Sequence, residues 1–463
     1  SGKLNIMKKI IKLLPILIIA ISACGGSSGS NVTHPVGYTG PDFNVEPLLQ
    51  TPSTYSETHY VYDFQGENYL LSCNTNGIGS GQLEIYKEAG GQFDPSEKMT
   101  IGGGIGCSGV TSIIDSSNSV NASPNAGILH IFAAELISSI NYTTYWCWDG
   151  QWVAGDAVEN HSAESACGSY LNKAPGGGSP SATIDTSSNE LLLAYQLNWW
   201  DLSNPSNMDL EFMSYPLTNL TTATYDVNDW SNPAAIDGAT AGFSAVGTSP
   251  VIKIAGGSIV IIARADNAGL GLKLYHCTLT SDCGQVSNWA GGSQFMATNI
   301  TDTFDFDINP STGYLTLVYQ SDSGGALHPN AIVYREWSIS TPLTAGPEKL
   351  IAMAYDPIGL AAAKISLGIE PNGKKHVFWW EHQAPFDFIL NHRFEKGNLW
   401  DGDIVMGWDG SSITDIPARM NPVFDNTLSP HGDRCFSIAY SMWDNTDPSS
   451  PQVFTHSKRC PVY

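Results

Sequence analysis

The chain predicts an all-β fold: a seven-bladed β-propeller with blades of four antiparallel strands. Three observations predict it. With 46 Gly and 26 Pro and only 14% charged residues, the composition favours short strands and many turns over helices. A hairpin pattern recurs, with an alternating strand, a polar turn and then an apolar strand. The recurrence has a regular period, long enough for one four-stranded blade.

The hairpins run in order along the chain. Gln65-Gly66-Glu67-Asn68 leads into Tyr69–Cys73, and a longer turn ending at Gly127 leads into Leu129–Glu135. Ser187-Ser188-Asn189 leads into Leu191–Gln196, and Gly256-Gly257 into Ile259–Arg264. Asn309-Pro310-Ser311-Thr312-Gly313 precedes Leu315–Gln320, Pro371-Asn372-Gly373 precedes His376–His382, and Ser429-Pro430-His431-Gly432 precedes Phe436–Ser441. Equivalent positions fall at Cys73, Ala134, Tyr195, Tyr319, Trp380 and Tyr440, spaced by 61, 61, 124, 61 and 60 residues. The double interval holds a fourth unit around Ala263. These second strands are apolar on both faces, as expected of strands packed between neighbouring blades. Asn, Gly and Pro at the tips suit tight hairpins. A two-sheet sandwich array would require linkers of shifted composition, and none is seen.

The last unit ends after its third strand, Val453–Arg459, so the sequence predicts that Phe43–Gln50 supplies its outer strand and closes the ring. The expected organisation is therefore 1–23, a leader; 24–42, a flexible tether; and 43–463, the propeller.

The leader is carried by Met7-Lys-Lys-Ile-Ile-Lys, the apolar run Ile10–Ala23, and Ile21-Ser22-Ala23-Cys24 followed by Gly25-Gly26-Ser27-Ser28. This segment resembles a bacterial lipoprotein signal peptide whose natural start is Met7. The resemblance implies cleavage before Cys24, lipidation of Cys24 (palmitate included) and attachment to a membrane. Gly25 after the cysteine implies the outer membrane, facing the periplasm or the cell surface.

Removing Lys3, Lys8, Lys9 and Lys12 leaves 17 bases against 44 acids. Such a surface repels nucleic acid and anionic lipid. Eight cysteines remain besides Cys24, an even number suited to an oxidising compartment. Neighbours pair most naturally: Cys73–Cys107, Cys147–Cys167, Cys277–Cys283 and Cys435–Cys460.

Gly368-Ile369-Glu370-Pro371-Asn372-Gly373 leading into His376–Glu381, and Ile184-Asp185 leading into Leu191–Gln196, resemble the repeats of sialidase-like (BNR-type) propellers. The resemblance implies the fold. The strict Asp-box is absent, and the arginines do not supply a triad for a substrate carboxylate.

In such a fold the loops after the second strands converge on the axial face. They carry Asn198, Trp199, Trp200, Arg264, Asp266, Gln320, Glu381, His382, Trp443 and Asp444. Indoles stack on sugar C–H faces, while amides and carboxylates take paired hydroxyl hydrogen bonds. Asn74, Asn76, Glu135, Asp322 and Asp447 belong to the same set, and His130 reads as a core histidine. No cofactor is expected. Asp305-Phe306-Asp307 and Asp444-Asn445-Thr446-Asp447 group hard oxygen ligands suited to calcium, but neither is an EF-hand loop and solvated turns explain both. Two readings stay open: a membrane-anchored binder of a carbohydrate or protein at the axial face, or a carbohydrate-active enzyme, glycoside hydrolase or polysaccharide lyase, on the same fold.

Overall fold

The computed structural model describes residues 44–51, 58–75, 81–89, 92–102, 107–120, 123, 125–137, 140–155, 168–171, 177–199, 207–222, 225–237, 246–265, 271–298, 300–321, 331–338, 346–353, 365–383, 386–397, 399–408, 421–428, 434–442 and 452–459. All belong to the unit Val32–Tyr463; the unit Ser1–Asn31, with Cys24, lies outside them.

These residues form seven four-stranded antiparallel sheets. The first holds β2 (Thr58–Phe64), β3 (Glu67–Thr75), β4 (Gly81–Ala89) and β5 (Gln92–Ile101), and the second β6 (Cys107–Asp115), β7 (Ile128–Ile137), β8 (Ile140–Trp148) and β9 (Gly168–Tyr170). The third holds β10 (Gly177–Asp185), β11 (Glu190–Trp199), β12 (Asn207–Pro216) and β13 (Ala234–Asp237), with the short helix α1 (Leu217–Thr222) after β12. The fourth is β14 (Val246–Ala255), β15 (Ser258–Ala265), β16 (Gly271–Thr278) and β17 (Ala290–Thr298). The fifth is β18 (Ile300–Ile308), β19 (Leu315–Ser321), β20 (Ala331–Trp337) and β21 (Lys349–Met353). The sixth is β22 (Ile365–Ile369), β23 (Lys375–Gln383), β24 (Phe386–Lys396) and β25 (Leu399–Trp408). In the seventh, β26 (Asn421–Leu428), β27 (Arg434–Met442) and β28 (Gln452–Arg459) are completed by β1 (Asn44–Thr51), which pairs with β28 from Asn44↔Lys458 to Thr51↔Gln452.

The first strands of consecutive sheets touch, and β26 touches β2. All seven line one central cavity of about 460 Å³. Between sheets lie separate apolar cores. Leu71 and Ile85 meet Leu129, Ile131, Trp146 and Trp148 between the first two sheets, and Phe132 and Tyr145 meet Leu191, Tyr195 and Tyr215 between the next two. Ile252 and Ile261 meet Leu192 and Phe212, and Val260 and Ile262 meet Leu317 and Tyr319. Each such side chain contributes roughly 1.5–3 kcal/mol by leaving water.

The sequence repeat needs one correction. Tyr195 and Tyr319 face the preceding sheet, in the cores shared with Tyr145 and with Ile262. Ala134 and Trp380 lie on the other face, because Phe132 packs on Trp230 of the third sheet and Phe378 on Phe436 of the seventh. Side chains alternate along a strand, so a one-residue slip exchanges the faces. The slip arises because the turns differ in length: Asp115 pairs with Ile128, but Asp185 with Glu190 and Ala255 with Ser258.

At the turn end of the second, third and fifth sheets, the residue at or just after the end of the first strand caps its own hairpin. Asp115 Oδ1 accepts from Ser117 N and Oγ at 2.9 and 2.6 Å, and Asp185 Oδ1 from Ser187 N and Oγ at 2.9 and 2.7 Å. Asn309 Oδ1 does the same for Ser311, at 3.0 and 2.7 Å. These are side-chain-closed turns of the Asx kind. Neighbouring turns are tied together: Gln65 Nε2 donates to Asp149 O at 2.8 Å, Asn118 Nδ2 to Asn189 Oδ1 at 2.9 Å, and Asn309 Nδ2 to Gly373 O at 3.2 Å. Gly373 has φ +91°, and a Cβ there would lie 2.2 Å from Ser311 Oγ, so this junction requires glycine.

Candidate functional site

The opposite, loop end is where the candidate residues gather. Here four first strands break register: β6 between Ser108 and Val110, β10 between Gly178 and Ser181, β14 between Thr248 and Val251, and β18 between Ile300 and Phe304. Pro180 and Pro250 fall inside two of these shifts. Proline has no N–H for the ladder, which forces the irregularity. Such bulges re-aim the chain at the mouth of the cavity.

Counting from the hairpin turns, Ala134, Gln196, Arg264, Gln320 and Trp380 occupy the same register in five consecutive sheets. Three of them are polar and consecutive: Gln196 and Gln320, each almost buried, flank the half-buried Arg264. Beside Gln320, Ser321 Oγ accepts from Ala331 N at 3.1 Å and donates to Ala331 O at 3.2 Å, which pins the start of β20.

Glu135 stands one residue beyond this register and is an anchor. It is 1% exposed, and its Oε1 accepts from Thr144 Oγ1 at 2.8 Å and Trp146 Nε1 at 2.9 Å. A Cβ on Gly102 (φ +71°) would lie 2.6 Å from Trp146, so glycine lets β5 approach this anchor.

Below the mouth, three consecutive sheets repeat a tyrosine–carboxylate pair. Tyr195 donates to Glu211 at 2.5 Å, Tyr275 donates to Asp237, which also takes Lys273 at 3.2 Å, and Tyr319 donates to Glu348 at 2.5 Å. Burial first, and the adjacent carboxylate with it, pushes all three phenols above their ordinary value. These hydroxyls therefore remain donors and are unsuited to removing a substrate proton.

Of the sequence candidates, the structure describes the side chains of Arg264 and Gln320 and sets them at one register in the second strands of adjacent sheets, β15 and β19, while first-strand residues line the central cavity. Asn198 and Trp199 end β11, and Glu381 and His382 lie near the end of β23; their side chains are outside the described residues. Trp200, Asp266, Trp443, Asp444 and Asp447 lie wholly outside them.

Asp305 and Asp307 lie in β18 rather than in a turn, on one face toward the cavity. Asp305 Oδ2 accepts from Leu367 N of the next sheet at 2.9 Å, and Asp307 Oδ1 meets Lys253 Nζ of the previous sheet at 3.2 Å. Their oxygens clasp neighbouring sheets. Among the described residues no group of three or more His, Cys, Asp or Glu side chains could hold a metal ion.

Cys277 and Cys283 form a disulfide. Cys147 is also disulfide-bonded, and its expected partner Cys167 is outside the described residues. Cys73, Cys107 and Cys435 lie in β3, β6 and β27 with side chains not described, and Cys460 is outside.

His130 is fully buried in the core, hydrogen-bonded through Nδ1 to Tyr145 at 2.8 Å. Sequence reasoning missed its counterpart. His376, Glu370 and His392 form a second buried line at the same register in the sixth sheet. In both hairpins the histidine stands two residues beyond the carboxylate's partner across the turn, but the turns differ in length, so His130 follows Asp115 by 15 residues and His376 follows Glu370 by 6.

No family model matches the chain, and no curated protein is similar to it. Among solved structures it is similar to an ulvan lyase of polysaccharide lyase family PL25 bound to -[GlcA(1-4)Rha3S]-, with 11% identity, 91% of this chain and 95% of that chain covered, and a TM-score of 0.50. An α-L-arabinofuranosidase from Lactobacillus brevis matches 60% of this chain and 89% of its own at 11% identity, TM-score 0.36. An endo-arabinase from Bacteroides thetaiotaomicron matches 62% and 93% at 12% identity, TM-score 0.35. At these identities the likeness is one of fold, all-β and propeller-like.

Proposed function

We propose that the chain is a closed seven-bladed propeller that acts on a polysaccharide at the loop end of its axial cavity. Arg264, set between Gln196 and Gln320 at one register of three neighbouring sheets, carries this reading. A guanidinium between two amides suits an acidic sugar: the fork takes a carboxylate, and the amides take hydroxyls. Polysaccharide lyase chemistry also needs a base, and with Tyr195, Tyr275 and Tyr319 held as donors by their carboxylates we give that role to His382, or to Glu381, in β23. Trp199 and Trp200 would stack on neighbouring sugar units. The likeness to a lyase bound to a glucuronate-containing glycan over nine tenths of both chains is consistent with this.

The leader assigns the workplace: export, lipidation at Cys24, and the outer membrane, periplasmic or surface-facing. A Cys24→Ser chain should lose palmitate labelling and its membrane association.

Incubation with acidic and neutral polysaccharides tests the reading. A lyase raises absorbance from unsaturated uronate ends, and a hydrolase raises reducing ends alone. Turnover lost in His382→Ala and Arg264→Gln supports the assignment. Absence of turnover on every glycan, with binding retained, leaves the glycan-binding propeller, for which Trp199-Trp200 speaks.

A further inference from the structure

We propose that the joint between the sixth and seventh sheets is an acid-operated latch, formed by the line Glu370–His376–His392 seated against Phe424 and Phe436. His376 Nε2 lies 2.8 Å from Glu370 Oε1, and His376 Nδ1 lies 3.0 Å from His392 Nε2. All three side chains are fully buried. The carboxylate takes the Nε2–H of His376, which leaves Nδ1 as the acceptor for His392 Nε2–H. The two imidazoles are nearly parallel, 5.2 Å apart, and Phe378 stacks on His392 at 4.5 Å.

The seventh sheet docks on this pair. Phe424 of β26 lies 4.9 Å from His376, and Phe436 of β27 lies 5.0 Å from His392. Contact is close enough that a Cβ on Gly368 would lie 2.7 Å from Phe424. Gly368, Pro422 and Phe424 also line the central cavity, so movement at this joint changes the cavity wall. Among the described side chains, the charged groups nearby are Glu370 from the β22–β23 turn and Lys374, whose ammonium sits 4.7 Å over Phe394. From β26 and β27 the described side chains that meet the pair are the two phenylalanines.

The chemistry of the switch follows from counting protons. One added proton leaves the shared N–H···N contact intact, with Glu370 as counter-charge. A second proton turns the acceptor nitrogen into a donor, so two N–H groups oppose each other at 3.0 Å in a site without water access. Separation of the rings relieves this and unseats Phe424 and Phe436.

The second sheet supplies an internal reference. Asp115, His130 and Tyr145 occupy the equivalent positions, with His130 Nε2 3.8 Å from Asp115 Oδ2. Tyrosine takes up no proton in the imidazole range, so this joint lacks the second step.

Hydrogen exchange on the full chain at pH 7.5 and pH 5.0, corrected for intrinsic rates, tests the latch. The expected result is at least a tenfold loss of protection in β26 and β27 at pH 5.0, with β7 and β8 unchanged. His392→Tyr, which copies the second sheet, should abolish the response. Equal protection of β26 and β27 at both pH values in the wild-type chain overturns the proposal, as does an undiminished response in His392→Tyr. If that variant does not fold, the wild-type comparison of the two joints decides alone.

Discussion

The two ends of the sheets solve opposite problems. At the turn end, Asp115, Asp185 and Asn309 spend their polar atoms closing hairpins, and Gln65, Asn118 and Asn309 bind one turn to the next. At the loop end, first strands are irregular at Pro180 and Pro250, and polar side chains such as Gln196, Arg264 and Gln320 stand at second-strand ends. The difference teaches where rigidity is placed. One end is closed by side-chain hydrogen bonds within and between turns, and the other carries the site proposed above.

This contrast predicts that turn-end changes cost stability and loop-end changes cost activity. The largest stability effect falls at Trp148, buried against Phe64, Tyr69 and Trp152. Trp148→Ala should cost about 3–5 kcal/mol in denaturant titration, with turnover per folded molecule retained. Arg264→Gln should do the reverse: about a hundredfold loss of turnover on an acidic glycan, with an unfolding midpoint close to wild type.

A smaller effect reads the turn end through pH. Burial raises the Asp115 carboxyl, but the adjacent His130 and hydrogen bonds from Ser117 and Asn118 outweigh it and hold the group below its usual value. A depressed carboxyl stabilises above the unfolded value, about 3.9, and that contribution is lost as pH falls through the folded value. Urea midpoints should therefore fall below about pH 4 in the wild type, and Asp115→Asn should flatten that limb. The smallest change is Gln65→Ala, which removes the bonds to Ala126 O and Asp149 O and should cost about 1–2 kcal/mol. A loss of turnover in this variant without loss of stability would break the contrast between the ends.

The repeat of apolar second strands was legible because burial on both faces demands it. The register within the repeat was not. A period counted in residues cannot distinguish the twelve residues between Asp115 and Ile128 from the four between Asp185 and Glu190, and so it merged Tyr195 with Ala134. The place of Arg264 and Gln320 near the ends of second strands was legible in the sequence. Glu135 looked the same in sequence, yet Thr144 and Trp146 hold it inside. The Asp305-x-Asp307 pair groups its carboxylates because alternate residues of a strand share a face, and only the neighbouring sheets reveal Lys253 and the Leu367 amide as their partners.

The pairing of β1 with β28 sets an order of events. Asn44 leaves the ribosome long before its ladder partner Lys458. Until then β1 is an unmatched edge, able to find other strands. Contacts so distant along the chain slow folding, so completion of the seventh sheet should be a late step of maturation.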